Sequence, residues 1–153
     1  MIIAVDFDGT IVEHRYPAIG QEIPFAIETL KKLVREQHRL ILWTVRKGKL
    51  LDEAVEFCRK RGLEFYAVNR NYPEETEEQT AKSSRKLKAD VWIDDRNVGG
   101  LPEWGVIYQL IHNGMTYEEL LRKKEGKKGQ KPFLGFFSRL FTKQDYTKYL
   151  TDL

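Results

Sequence analysis

The chain has 153 residues, 41% of them hydrophobic and 32% charged, and a formal net charge of +3. That length suits one domain with a real core, and the mix of apolar and charged residues is that of a globular protein. One cysteine, Cys58, excludes an intramolecular disulfide framework. No apolar stretch approaches the roughly 18–20 residues of a membrane-spanning helix.

The beginning of the chain lacks the basic, apolar and cleavage regions of a leader, so a cytoplasmic location is the expectation. His14, His38 and His112 are too scattered for a zinc site. The charge is unevenly spread. Residues 115–153 hold nine Lys/Arg against five Asp/Glu, and residues 1–114 hold 17 against 18. The basic excess therefore belongs to the tail.

Ile2 to Phe7 reads as a buried strand of β-branched and apolar residues. It runs straight into Asp6-Phe7-Asp8-Gly9-Thr10. Acids at i and i+2 on a strand point the same way, and like charges that close call for a divalent cation. One could then act as a nucleophile while the other handles protons; an acidic turn capping a helix is the plainer alternative. Gly9 lets the backbone turn sharply and approach a ligand, and with Thr10 it is assigned to substrate binding.

Pro24 opens a predicted helix to about Gln37, with Phe25, Leu30, Leu33 and Val34 on one face. Arg39 to Thr44 is the second strand. A helix follows from about Lys49 to Arg61, with Leu51, Ala54, Val55 and Cys58 inward, and Gly62 stops it. Cys58 is thus expected to be a buried structural thiol. Leu63 to Val68 is a third strand, Ala89 to Ile93 a fourth and Gly105 to Ile107 a short fifth. Between the third and fourth, residues 69–88 are polar and read as a loop with a turn or two of helix that could cross the mouth of a site. Thr116 and Glu119 have the spacing of a capping box before a helix to Lys124.

Strands alternating with helices imply a three-layer, Rossmann-like parallel sheet with helices on both faces, where ligands sit beyond the carboxyl ends of the strands. The polar residues after each apolar run are therefore the candidates. The Thr44 hydroxyl can hydrogen-bond a phosphoryl oxygen, or cap the next helix. Arg46 and Lys47 bind substrate anions or are solvated charges. Asp94 and Asp95 are adjacent acids closing an apolar strand, and Arg96 is expected to pair with one of them. His14-Arg15-Tyr16 could touch substrate or be a plain surface loop, and Asn69 to Tyr72 is a second candidate for specificity, with Asn69 assigned to substrate binding.

Asp6-Phe7-Asp8-Gly9-Thr10 after an apolar strand resembles the first motif, DxDx[TV], of the haloacid dehalogenase superfamily, whose members are mostly Mg²⁺-dependent phosphotransferases. The resemblance implies that Asp6 is the phosphoryl-accepting nucleophile and Asp8 the general acid/base. Thr44 matches the second motif. Asp94 and Asp95 resemble the acidic pair that completes the Mg²⁺ site with Asp6 and the backbone carbonyl of Asp8. Lys82, Arg85, Lys86 and Lys88 compete for the third motif, and Ser84-x-Lys86-x-x-Ala89-Asp90 favours Lys86. The resemblance covers roughly residues 1–112 and implies a phosphatase acting through an aspartyl phosphate. With 33 residues between the first two motifs and 41 between Thr44 and Lys86, there is no room for a large cap domain. Such capless members take bulky substrates or close the site with a neighbouring subunit, so a phosphorylated small molecule and a second copy are the expected partners.

The catalytic domain is expected over residues 1–114 and a helical, basic and aromatic tail over 115–153. Residues 122–131 read as a flexible linker. Phe133, Phe136, Phe137, Leu140 and Phe141 would form one apolar face if helical. Folding back onto the body or a sister subunit ranks ahead of docking on an anionic membrane, and a nucleic-acid role for the linker ranks last. Two other readings remain: a nucleotide or polynucleotide end phosphatase with the same chemistry, and a non-catalytic Mg²⁺-binding interaction module.

Overall fold

The structure is a computed structural model that describes residues 1–82 and 86–126. The chain divides into two compact units, Met1–His112 and Asn113–Leu153.

The first unit is a Rossmann-like α/β fold around four parallel strands: β1 (Ile2–Val5), β2 (Arg39–Leu42), β3 (Ala67–Val68) and β4 (Val91–Ile93). Their order across the sheet is β3-β2-β1-β4. Register is set by Ala4, which lies between Ile41 of β2 and Trp92 of β4. Helices α1 (Ala26–Arg35) and α2 (Lys49–Arg59) make the first two crossovers. The chain then returns past β1 to reach β4, through a connection that carries the short α3 (Glu77–Lys82). That reversal makes β1 and β4 the switch point of the sheet, where such folds open a crevice.

The alternation of the strands sorts the core. Ile3, Val5, Phe7, Leu40, Leu42 and Ile93 pack on one face with Ile27, Leu30 and Leu33 of α1 and Ala54 and Cys58 of α2. Helix α4 (Trp104–His112) joins the same cluster through Trp104, Ile107 and Ile111. Ala4, Ile41 and Ala67 point the other way. There Leu87 and Ala89 of the β3–β4 connection cover them beside Trp43 and Trp92, on the face a right-handed return crossover must use. Burial pushes the Cys58 thiol up to about 12, so it is an inert core group.

Several predicted elements shift. Gly105 to Ile107 is not a strand but part of α4: Trp104, Ile107 and Ile111 recur at helical spacing, and only as a helix do they share one buried face. Phe25 and Val34 are not on the inner face of α1. Phe25 precedes the helix with φ 68° and is 74% exposed, and the buried stripe is Ala26, Ile27, Thr29, Leu30 and Leu33. The third strand keeps only its last two residues, with Leu63 buried just after Gly62 ends α2 in a left-handed turn. Tyr108 of α4 donates to Glu36 Oε1 at 2.6 Å beyond the end of α1, a bond that holds the Glu36 carboxyl below its ordinary range.

In the second unit, α5 (Tyr117–Gly126) begins with the expected capping box: the Thr116 amide donates to Glu119 Oε2 at 2.7 Å and the Glu119 amide to Thr116 Oγ1 at 3.2 Å. Residues 122–126 of the expected linker are instead the end of α5, while Ser84, Arg85, residues 127–131 and the apolar residues 133–141 lie outside the described residues. No described helix is long and apolar enough to cross a membrane.

Candidate active site

The sheet ladder runs to the very edge of each strand. The amides of Asp6, Trp43 and Asn69 donate to Ile93, Val5 and Leu42 at 3.0, 2.8 and 2.8 Å. Asp6, Thr44, Asn69 and Asp94 therefore emerge together at the carboxyl edge. After Asp6 the chain turns at once. The amides of Ile11 and Val12 both donate to the Phe7 carbonyl, and Gly9 holds φ 94°. A Cβ on Gly9 would lie 2.3 Å from Asp95 Oδ2. Gly9 is thus required by the close approach of the two loops, and this, rather than substrate contact, explains the residue.

Thr10 is likewise internal. It is fully buried, its hydroxyl donates to Asp6 Oδ2 at 3.3 Å, and its oxygen accepts the Asp95 amide at 3.1 Å. It ties the β1 acid to the β4 acids instead of reaching a ligand.

The result is a three-carboxylate cluster. One oxygen each from Asp6, Asp94 and Asp95 lie within 4.8 Å of one another. None of the three makes an ion pair among the described residues. Asp95 Oδ1 is buried without a hydrogen-bond partner, and the Asp94 carboxylate accepts the Arg96 amide at 2.8 Å. Burial, reinforced by Asp94 and Asp95, lifts the Asp6 carboxyl to about 6 against the opposing Phe7 amide and Thr10 hydroxyl. Convergent oxygens, an orphaned acceptor and uncompensated negative charge are what a hard divalent cation fits, and the all-oxygen donor set suits Mg²⁺.

Asp8 has a different environment. Arg46 Nε and Nη2 grip its two carboxylate oxygens at 2.7 and 2.6 Å. Arg46 is itself fully buried and donates to the Pro17 and Ala18 carbonyls, each at 2.9 Å. Arg46 is therefore neither a solvated charge nor a free anion binder, because four of its five N–H donors are taken by Asp8, Pro17 and Ala18. It joins β1, the loop carrying Tyr16 and the end of β2. The Asp8 side chain is correspondingly absent from the carboxylate cluster. Nothing in the strand-end tripeptide Val45-Arg46-Lys47 distinguishes the buried cation from its exposed neighbour, since Arg46 finds its partner 38 residues away. Lys47 is exposed, has no partner among the described residues and does not line the pocket.

Thr44 is held by its neighbours. Its amide donates to Asn69 Oδ1 at 2.8 Å, and its hydroxyl oxygen accepts the Arg46 amide at 3.2 Å, which leaves the hydroxyl proton to donate. Asn69, with φ 51°, thus positions Thr44 through its side-chain oxygen. Asn71 is also used internally, gripped by the buried Glu75. Asp6, Asp8, Thr44 and Asp94 line a pocket of about 320 Å³. His14, Tyr16 and Arg96 line it too, but the Arg96 side chain makes no ion pair among the described residues. Lys86 is exposed and lies outside that lining.

A solved structure of a conserved protein from Bacteroides thetaiotaomicron is 67% identical to this chain, covering 78% of this chain and 96% of that one, with a TM-score of 0.73. The chain belongs to the family of that protein. No family model matches the chain. No curated protein matches it either.

Proposed function

We propose that this protein is a Mg²⁺-dependent phosphatase of the haloacid dehalogenase type, hydrolysing a phosphomonoester through an aspartyl phosphate on Asp6. The observation that carries the reading is the convergence of Asp6, Asp94 and Asp95 within 4.8 Å at the β1–β4 switch point, where Asp6 and Asp94 share a pocket with Thr44. Those three carboxylates, with the Asp8 backbone carbonyl, would hold the ion. When bound, it neutralises the charge of Asp6 and of the phosphoryl oxygens.

The protein's own residues divide the remaining work. An Asp6 oxygen attacks phosphorus as the ester P–O bond breaks. The Thr44 hydroxyl donates to a phosphoryl oxygen. Asp8 gives a proton to the leaving alkoxide and takes one from the water that later cleaves the aspartyl phosphate. Because Arg46 occupies both Asp8 oxygens, that proton is exchanged only as one of the two contacts yields. Lys86 enters this reading through the resemblance alone, and unchanged activity of Lys86→Met would remove it.

The test is hydrolysis of p-nitrophenyl phosphate with Mg²⁺, after EDTA, and by Asp6→Asn. Turnover that requires Mg²⁺ and disappears in the variant supports the assignment. Turnover that survives in Asp6→Asn overturns the nucleophile.

A further inference from the structure

Beside the exposed His14 and Arg96, the pocket that holds Asp6 and Asp94 is lined by exposed apolar and aromatic side chains. Val45 is 75% exposed and Tyr16 48% exposed, and both line the same pocket as Asp6 and Thr44. Trp43 lines it as well, set edge-on against Trp92 with ring centroids 6.2 Å apart. Exposed apolar side chains are common singly, but two in one catalytic mouth are not explained by packing.

Their supports are rigid. Val45 sits between two anchored residues: Thr44, whose amide is held by Asn69, and Arg46, whose amide is held by Thr44 and whose side chain is locked on Asp8. Tyr16 precedes the two carbonyls, Pro17 and Ala18, that Arg46 fixes from beneath, and the guanidinium carbon lies 5.3 Å from the Tyr16 ring centre. Apolar surface fixed in place loses little entropy when a ligand covers it.

Resting on the phosphatase reading above, we propose that the leaving group of the substrate is an alcohol bearing a flat apolar ring close to the ester oxygen, an arylmethyl phosphate or its heteroaromatic equivalent. With the phosphoryl group at Asp6 and Thr44, the ring lies against Val45 and Tyr16. The slot orders the ring by burying it, so Val45 and Tyr16 determine specificity and take no part in the bond-making steps.

The test compares 2-phenylethylphosphonate with butylphosphonate, the non-hydrolysable isosteres of benzyl and propyl phosphate, by calorimetry on the full chain with Mg²⁺. The phenylethyl compound is expected to bind about tenfold tighter or better, and Val45→Ser and Tyr16→Ala are each expected to bring the ratio toward one. Turnover is compared in parallel on benzyl and propyl phosphate, whose leaving alcohols are of similar acidity, so a preference reports recognition rather than intrinsic reactivity. Equal affinities in the wild type, or a ratio that neither variant moves, overturn the proposal while leaving the phosphatase reading intact. If neither phosphonate binds and Asp6→Asn changes no turnover, both fall together.

Discussion

The β1–β4 side of the strand-end cluster and its β1–β2 side treat buried negative charge in opposite ways. On the β1–β2 side, Asp8 meets a fully buried guanidinium that satisfies both of its oxygens, and that guanidinium is satisfied in turn by two loop carbonyls. On the β1–β4 side, a few residues away, Asp6, Asp94 and Asp95 converge without an ion-pair partner among the described residues and with one orphaned oxygen. Burying charge is unfavourable in both places. The first region answers it with the chain's own atoms, which makes Asp8 an anchor of the fold as well as the proposed acid/base. The second leaves it unanswered by the described residues, and the proposed ion site rests on that difference.

The sharpest way to break this contrast is to remove a charge from each side. Asp6→Asn is expected to lower kcat by about 10⁴-fold or more, the scale seen when a nucleophile is removed, with its fold retained by circular dichroism. Arg46→Ala is expected to act first on stability. It strands a carboxylate that is only 7% exposed and frees two carbonyls, and breaking such a buried pair costs about 3–5 kcal/mol. Urea denaturation reads this directly. Asp94→Asn provides the counterpart, because it relieves repulsion. The metal-free variant should melt no lower than wild type but lose the rise in Tm that Mg²⁺ produces. An Asp94→Asn variant as unstable as Arg46→Ala would mean that the acidic cluster is structural after all.

Gly9 lies on the seam between the two regions and sharpens their separation. In Gly9→Ala the new Cβ must displace the Asp95 carboxylate, and φ 94° adds backbone strain of about 1–2 kcal/mol. Displacing a ligand or its support typically lowers metal affinity by about 10–100-fold. The expected outcome is therefore a modest loss of Tm with a larger loss of Mg²⁺ affinity by calorimetry. A loss of stability alone, with Mg²⁺ affinity intact, would show that Asp95 is not part of the ion site.

The acidic side of this comparison was legible before any coordinates. A hydrophobic strand followed at once by acids is a local pattern, and parallel α/β topology sends every strand end to one edge, so Asp6, Thr44 and Asp94 could be gathered from their positions alone. The compensated side was not legible. Arg46 and Lys47 are adjacent cations after the same strand, yet one is wholly buried and the other exposed. The difference arises from Asp8 and from the Pro17 and Ala18 carbonyls, which only tertiary folding brings near. The roles of Thr10 and Asn69 have the same origin: the Thr10 hydroxyl holds Asp6 and Asp95 and Asn69 Oδ1 holds Thr44, and short-range pattern does not say whether a hydroxyl or amide faces a ligand or a neighbouring loop. The fifth strand failed differently, since three apolar residues fit either period and the packing of Trp104 and Ile111 decided for the helix.

The smallest expected effect is also the one that tests the unanswered charge without any substrate. Burial, with Asp94 and Asp95 as like-charged neighbours, raises the Asp6 carboxyl from 3.8 to about 6 in the folded, metal-free protein. Between those values the folded chain keeps a proton that the unfolded chain has released. Stability from this group is therefore greatest below about 4, falls as pH rises through 6, and stays at its lower level above that. Asp6→Asn cannot titrate, so the Tm of the variant minus that of wild type, both in EDTA, should climb from pH 4 to pH 6 and then level off. Titrating groups other than its neighbours Asp94 and Asp95 cancel in the difference. Mg²⁺ added above pH 6 should raise the wild-type curve and leave Asp6→Asn little changed, closing the gap from the other side. Parallel curves across the whole range would mean that the charge on Asp6 is already compensated, and the distinction between the two sides of the cluster would disappear.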